Sequence, residues 1–207
     1  MNLSGLRDAV RLRTGTAATD ATLNPSYLNM IVDQANAFIA TEGDWPWRQT
    51  STTFPTVVGT DTYTPPATWL RTKMLKITDE TPMRLLSTID IEERWWSSTQ
   101  RGMPREYAVE AEVIILRPIP DAVYTVTHRF IKVEPELTLD ADTPLMPPQF
   151  HTAIVELASY HAFRRLGNLP AAAACKESYA DWKRVMMQDH SRTLAPKSIR
   201  VRPGSQI

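Results

Sequence analysis

The chain has a single cysteine, Cys175, among its 207 residues, which excludes an internal disulfide and any zinc site built from cysteine pairs. Seven glycines are present, and no GxGxxG, GxxxxGKS/T or GxSxG arrangement occurs, so the backbone offers neither a phosphate cradle nor a nucleophile elbow. His128, His151, His161 and His190 form no i, i+4 pair and no HExxH, and there is no Asp-x-Asp calcium loop. The sequence therefore predicts no metal, no cofactor and no enzyme. Charge of one sign is not in excess either: 23 Lys and Arg balance 23 Asp and Glu, which removes the electrostatic case for nucleic acid as the main ligand. No apolar run approaches the ~18 residues of a membrane span. The N-terminal MNLSGLRDAVRLRTG lacks an apolar h-region, so the expectation is a protein folded inside the cell, with no membrane partner.

What is present is a globular composition, 43% hydrophobic and 22% charged, in a length that buries roughly 70% of the unfolded chain's surface. Proline is the excess, 16 residues where the average usage of about 5% gives roughly ten. Many connections must therefore be extended and stiff. Cys175 follows Ala171–Ala174 and reads as a small buried thiol on a helix.

Apolar spacing predicts a helix over 3–14 (Leu3, Leu6, Val10, then Gly15) and another over 25–42, capped by Asn24, opened by Pro25 and stopped at Gly43. From about 50 to 135 Thr, Val and Pro replace helix formers. KMLKITD reads as a strand with Pro82–Ser87 as its hairpin mate, and Tyr107–Val109 and Val113–Leu116 flank a polar turn at Glu110–Glu112. In the Val123–Val133 run, Tyr124, Val126, His128 and Phe130 face one side. STIDIEERWW fits a short helix opened by the Ser87/Asp90 capping pattern. Helices over 148–166 and 170–190 complete the chain, the second aligning Cys175, Tyr179, Trp182 and Met186. The expected fold class is α+β: a helical bundle formed by N- and C-terminal helices, an inserted small antiparallel sheet of about four to six strands, and an extended C-terminal arm. Residues 1–194 read as one domain and 195–207 as the arm.

The residues that could carry chemistry each have a plain alternative. Glu92 with Glu93 and Glu110 with Glu112 could form a glycosidase dyad, but such pairs arise cheaply and read better as solvated surface. Trp95 and Trp96 lie about 100° apart on a helix, so they cannot both face one core; a subunit interface is the other reading. Glu134, Glu136, Asp140 and Asp142 form an acidic bridge that suits a channel lining or a solvated loop equally. In the terminal APKSIRVRPGSQI, Ile199 and Val201 alternate with Arg200 and Arg202 after Lys197, bracketed by Pro196 and Pro203. That pattern fits a strand added to an exposed edge, a disordered terminus, or a phosphate-contacting arm.

The segment DADTPLMPPQFHTAIVELASYHAFRRLGNLPAAAACKESYADWKRVMMQ resembles the C-terminal part of head-to-tail adaptor (head completion, connector) proteins of tailed bacteriophages. TLNPSYLNMIVDQANAFIATEGDWPW, with its Trp45-Pro46 corner, resembles their second helix. The resemblance implies a structural protein of the virion neck, assembled in the host cytoplasm as a ring of about twelve copies. Its implied partners are the portal protein, a tail or neck protein (stopper, tube or nozzle), its own copies, and double-stranded DNA passing during packaging and ejection without sequence-specific binding. It also implies that the arm, from Pro196 to Pro203, docks on the portal. A stopper or tail completion protein is the neighbouring alternative, and a peptidoglycan hydrolase the enzymatic one.

Overall fold

The computed structural model describes residues 1–95 and 99–194, the side chains of 192–194 excepted. Among the described residues the order is α1 (Leu3–Thr14), α2 (Pro25–Thr41), β1 (Gln49–Pro55), β2 (Thr62–Tyr63), β3 (Trp69–Ile77), β4 (Arg84–Leu85), α3 (Thr88–Arg94), β5 (Glu106–Glu110), β6 (Val113–Arg117), β7 (Thr125–Lys132), α4 (His151–Arg165) and α5 (Leu169–Leu194). The chain divides into two compact units, Met1–Pro46 together with the segment from Pro135 onward, and Trp47–Glu134.

In the first unit local chemistry sets the helix ends. Asn2 accepts from the Gly5 amide at 3.0 Å and Asn24 from the Tyr27 amide at 2.9 Å, each satisfying a donor that the first turn leaves unpaired. Gly15 closes α1 at φ 68, a left-handed conformation that a side chain disfavours. Pro147 and Pro148 lead into a 3₁₀ turn, Pro148–Phe150, where their missing amides cost nothing. Helix α4 packs against α1, α2 and α5. Accordingly every residue from Ala153 to Ser159 is buried, and no polar face develops along that stretch. Ala153, Ala158 and Ala162, all at 0% exposure, keep the neighbouring backbones close.

Polar side chains drawn into this packing meet partners at several points. The buried Glu156 carboxylate meets Arg13 at 3.1 Å. Cys175 is buried and free, and burial, assisted by Glu156, pushes its thiol up, so it is protonated and unreactive. Tyr179 and Lys183 of α5 both donate to Glu42, which follows α2, and the Trp45 indole donates to the Ile39 carbonyl at 2.7 Å. Trp182, expected on the same buried stripe as Cys175, Tyr179 and Met186, is half-exposed. Steps of four, three and four keep the four residues within about 60° of one another, so Trp182 shares the stripe of Cys175, Tyr179 and Met186 and is less covered than they are.

The second unit has two sheets, ordered β1-β7-β3 and β2-β6-β5-β4. Alternation along β7 puts Val126, His128 and Phe130 inward. Leu75, Ile77 and Val126 of the first sheet share a core with Tyr107, Ile114 and Leu116 of the second, with Met83 between. The β5–β6 hairpin turns at Ala111 and Glu112, both at positive φ (45 and 63).

The expected bundle of N- and C-terminal helices carrying one small antiparallel sheet and an arm is thus corrected. Five helices and seven strands are found among the described residues, the strands form two sheets with a core of their own, and α3 lies among them. One sheet would have left an apolar face open; two cover each other. Pro82–Ser87 is not the hairpin mate of β3. Only an isolated Lys76–Pro82 bridge joins them, and β4 pairs in parallel with β5. At that bridge Met83 donates its amide to the Leu75 carbonyl at 2.8 Å, and the next amide, that of Arg84, donates to the Arg105 carbonyl at 2.9 Å, so the chain passes from β3 to β5 within two residues.

Because α4 is covered by three helices, truncating it should be costly. Ile154→Ala is expected to destabilise the helical unit by about 2–5 kcal/mol, measured as the shift in chemical denaturation followed by helical circular dichroism.

Candidate assembly surfaces

The sequence-expected site residues fall into separate places. Trp96 and the arm residues Pro196, Lys197, Ile199, Arg200, Val201, Arg202 and Pro203 lie outside the described residues. Trp95 caps α3; half-buried, it donates its indole N–H to Glu106 at 2.7 Å. Arg94 donates to the other oxygen of the same buried carboxylate. Glu106 therefore anchors the short helix to β5, since seven residues alone are too few for a stable helix.

The four acids of the bridge are not equivalent. Glu134 belongs to the β unit; its side chain is 7% exposed and lies 3.7 Å from Arg48, itself buried. Arg48 also donates twice to the Lys132 carbonyl, at 3.0 and 2.7 Å, pinning the segment by which the chain leaves the unit beside the one by which it enters. Asp140 and Asp142 belong to the helical unit. Their carbonyls accept from the Ser4 and Leu3 amides at 3.2 and 2.8 Å, satisfying open donors at the start of α1. The Asp142 carboxylate accepts from the Thr138 and Leu139 amides at 2.8 and 2.7 Å, bonds that hold it below the usual carboxylate range. Asp140 meets Arg7 at 3.0 Å while remaining 65% exposed. Glu136 is exposed.

Sequence reasoning missed one surface. The three strands of the first sheet, QTSTTFP, WLRTKMLKI and TVTHRFIK, contain Arg71, Lys73, Lys76, Arg129 and Lys132 and no carboxylate. Register places Arg129 opposite Ser51 on one side and Met74 on the other, and Thr127 opposite Lys76, on the face turned away from the core. A depression of about 410 Å³ opens there, lined by Gln49, Thr50, Ser51, Lys73, Met74, Arg129 and Phe130. The signal was in the sequence: strands with cations and no acids in a chain of zero net charge.

Beneath that face His128 is fully buried, its Nε2 2.9 Å from Thr72 Oγ1, its ring 4.9 Å from Phe130, and its Nδ1 without a hydrogen-bond partner. Burial lowers its pKa to about 4, because a charged ring would be desolvated with one N–H unanswered. No group of three His, Cys, Asp or Glu suited to a metal occurs among the described residues. No described helix is long and apolar enough to cross a membrane.

A histidine of ordinary pKa 6.5 when unfolded and about 4 when folded gives stability that is full above pH 6.5 and declines as pH falls toward 4. The decline should reach about 3 kcal/mol, and His128→Leu should remove that part of the difference between denaturation curves at the two pH values.

In comparisons with known proteins, the family model described as SU10 adaptor protein matches residues 1–202. No curated protein matches the chain. The family match takes in both units and runs to Arg202, through the alternating Ser198–Arg202 segment. By that extent the chain belongs to the SU10 adaptor protein family, a family of phage head-to-tail adaptors.

Proposed function

We propose that the protein is a structural adaptor of the virion neck that forms a ring of about twelve copies beneath the portal, extends the DNA channel and gives the tail its docking surface. The observation that carries this reading is the family match over residues 1–202. Such a part works by holding its shape while partners attach. The described residues suit that work: α4 is buried against three helices, and the β unit has its own core.

Within this reading the arm, Pro196 to Pro203, docks on the portal as an added strand, with Ile199 and Val201 on the covered side and Arg200 and Arg202 outward. Trp95, at the exposed end of α3, stands at the margin of a subunit contact. Glu136 and Asp140 are the acids with the exposure to face passing DNA, whose phosphates they would repel rather than hold. Glu134 and Asp142 would act one step back, by fixing Arg48 and the turn before Asp142.

The test is gel filtration of the protein with the portal ring from the same genome, beside a chain truncated after Leu194. The full chain should co-elute with the portal. The truncated chain should keep its circular dichroism and lose co-elution. Failure of the full chain to bind, together with crosslinks to the tail tube alone, would move the protein to the stopper position.

A further inference from the structure

The outer strand of a sheet presents a row of unpaired amides and carbonyls, which proteins blunt or cover. Among the described residues the β unit has four such edges, and three are blunted. β2 and β4, the outer strands of one sheet, have two residues each. β3, on one edge of the other sheet, has two breaks in register, and the Met83 amide already donates to its Leu75 carbonyl at 2.8 Å. β1 is the exception. Its seven residues, QTSTTFP, carry no charge, keep unbroken register with β7 and include none that is buried.

The ladder shows which groups of β1 are open. Thr56 donates to the Tyr124 carbonyl at 2.8 Å and Thr78 to the Thr125 carbonyl at 3.1 Å, so the even-numbered residues of β7 bond to β1 and the odd-numbered ones to β3. Val126 and His128 therefore bond to Phe54 and Thr52. Ser51 and Thr53 turn their amides and carbonyls away from β7, and no other strand pairs with them among the described residues. Pro55 stands in the same outward row, where a residue without an amide breaks no bond.

The two faces of β1 differ. Thr50, Thr52 and Phe54 lie on the core side, opposite Phe130, His128 and Val126. On the outward side Ser51 lies beside Arg129, which is exposed and has no ion-pair partner among the described residues. The three strands contain no carboxylate. Asp79 and Glu80 follow β3, on the far side of β7 and past the level of Pro55. A strand added to β1 thus meets apolar and threonine side chains on one face and an unanswered cation on the other.

We infer that the outer edge of β1 receives an extended segment of another neck protein, with apolar or β-branched side chains beside Thr52 and Phe54 and a carboxylate that reaches Arg129 across Ser51. The carboxylate and Arg129 stand on strands about 10 Å apart, a span that two long side chains close above a small serine. Main-chain bonds to Ser51 and Thr53 hold the segment, and the alternation of its side chains selects it. A second copy's β1 on this edge would join two cationic faces, and the chain's own Ile199–Arg202 segment would add Arg200 and Arg202 to one. Duplex DNA cannot continue a β ladder. The assignment to a neck protein rests on the adaptor reading above, whereas the open edge and its chemistry do not.

The experiment follows amide hydrogen exchange at Ser51 and Thr53 in the full chain by nuclear magnetic resonance, with two synthetic peptides as probes, one alternating valine with glutamate and the other valine with lysine. The glutamate peptide should slow both amides by about tenfold or more, and the lysine peptide should not. Arg129→Glu should invert that order. Ser51→Pro removes an outward amide without touching a bond to β7, so it should keep the circular dichroism of the wild type and lose protection at Thr53. Should that variant not fold, the comparison of wild type with Arg129→Glu decides alone. The same exchange is then measured by mass spectrometry on the portal-bound protein and on the completed neck, where completion should slow Ser51 and Thr53.

Unchanged exchange with the glutamate peptide overturns the inference, and equal protection by both peptides overturns the acidic chemistry. Protection that grows with protein concentration alone overturns it in favour of a second copy, and duplex DNA that perturbs Arg129 more strongly than the peptide does, in favour of nucleic acid. Protection by the peptide without protection in the completed neck overturns the neck protein as the source of the strand. If the protein does not bind the portal, the adaptor reading falls, and the peptide result still decides the edge.

Discussion

Helix α4 has no side to give to solvent along Ala153–Ser159, and the helical unit is organised around that constraint. A helix covered by α1, α2 and α5 must present apolar or small residues in every direction, which is why its polarity shows no period. It must also neutralise any charge it carries inward, as Arg13 does for Glu156. The same enclosure brings the N-terminal helices and the C-terminal hairpin into one compact unit although the β unit separates them in sequence.

The β unit solves the matching problem for sheets. Each of its sheets is open and has one apolar face that another layer must cover. Facing sheets share Leu75, Ile77, Val126, Ile114 and Leu116. Arg48 then holds the Lys132 carbonyl beside the start of β1, so the two chain crossings of the unit lie together. An arginine serves better than a lysine there, because its planar fork reaches one carbonyl with two donors and still approaches Glu134.

Zero net charge is the sum of unlike surfaces rather than the sign of a featureless one. Acids are consumed by capping and pairing in places where local geometry needs an acceptor, as with Asp142 and Glu106. Cations gather on the outward face of one sheet. Such segregation is invisible to overall composition and shows only when the strands are taken one by one.

The sequence by itself determined whatever depends on neighbours a few residues apart. The caps at Asn24 and Ser87, the stop at Gly15, the two-sided pattern of β7 and a β5–β6 turn, expected at Glu110–Glu112 and found at Ala111–Glu112, are legible because capping bonds, turn polarity and period-two alternation are local properties. The family resemblance was legible for the same reason, as an ordered series of short local motifs. Tertiary structure alone decided which strands pair and into how many sheets. Pro82–Ser87 had a plausible local mate in β3, but β4 found β5, more than twenty residues along the chain, because the apolar faces of two sheets had to cover each other. It likewise decided that Glu134 is buried against Arg48 while Glu136 is exposed, since a carboxylate's role depends on which cation the fold brings to it.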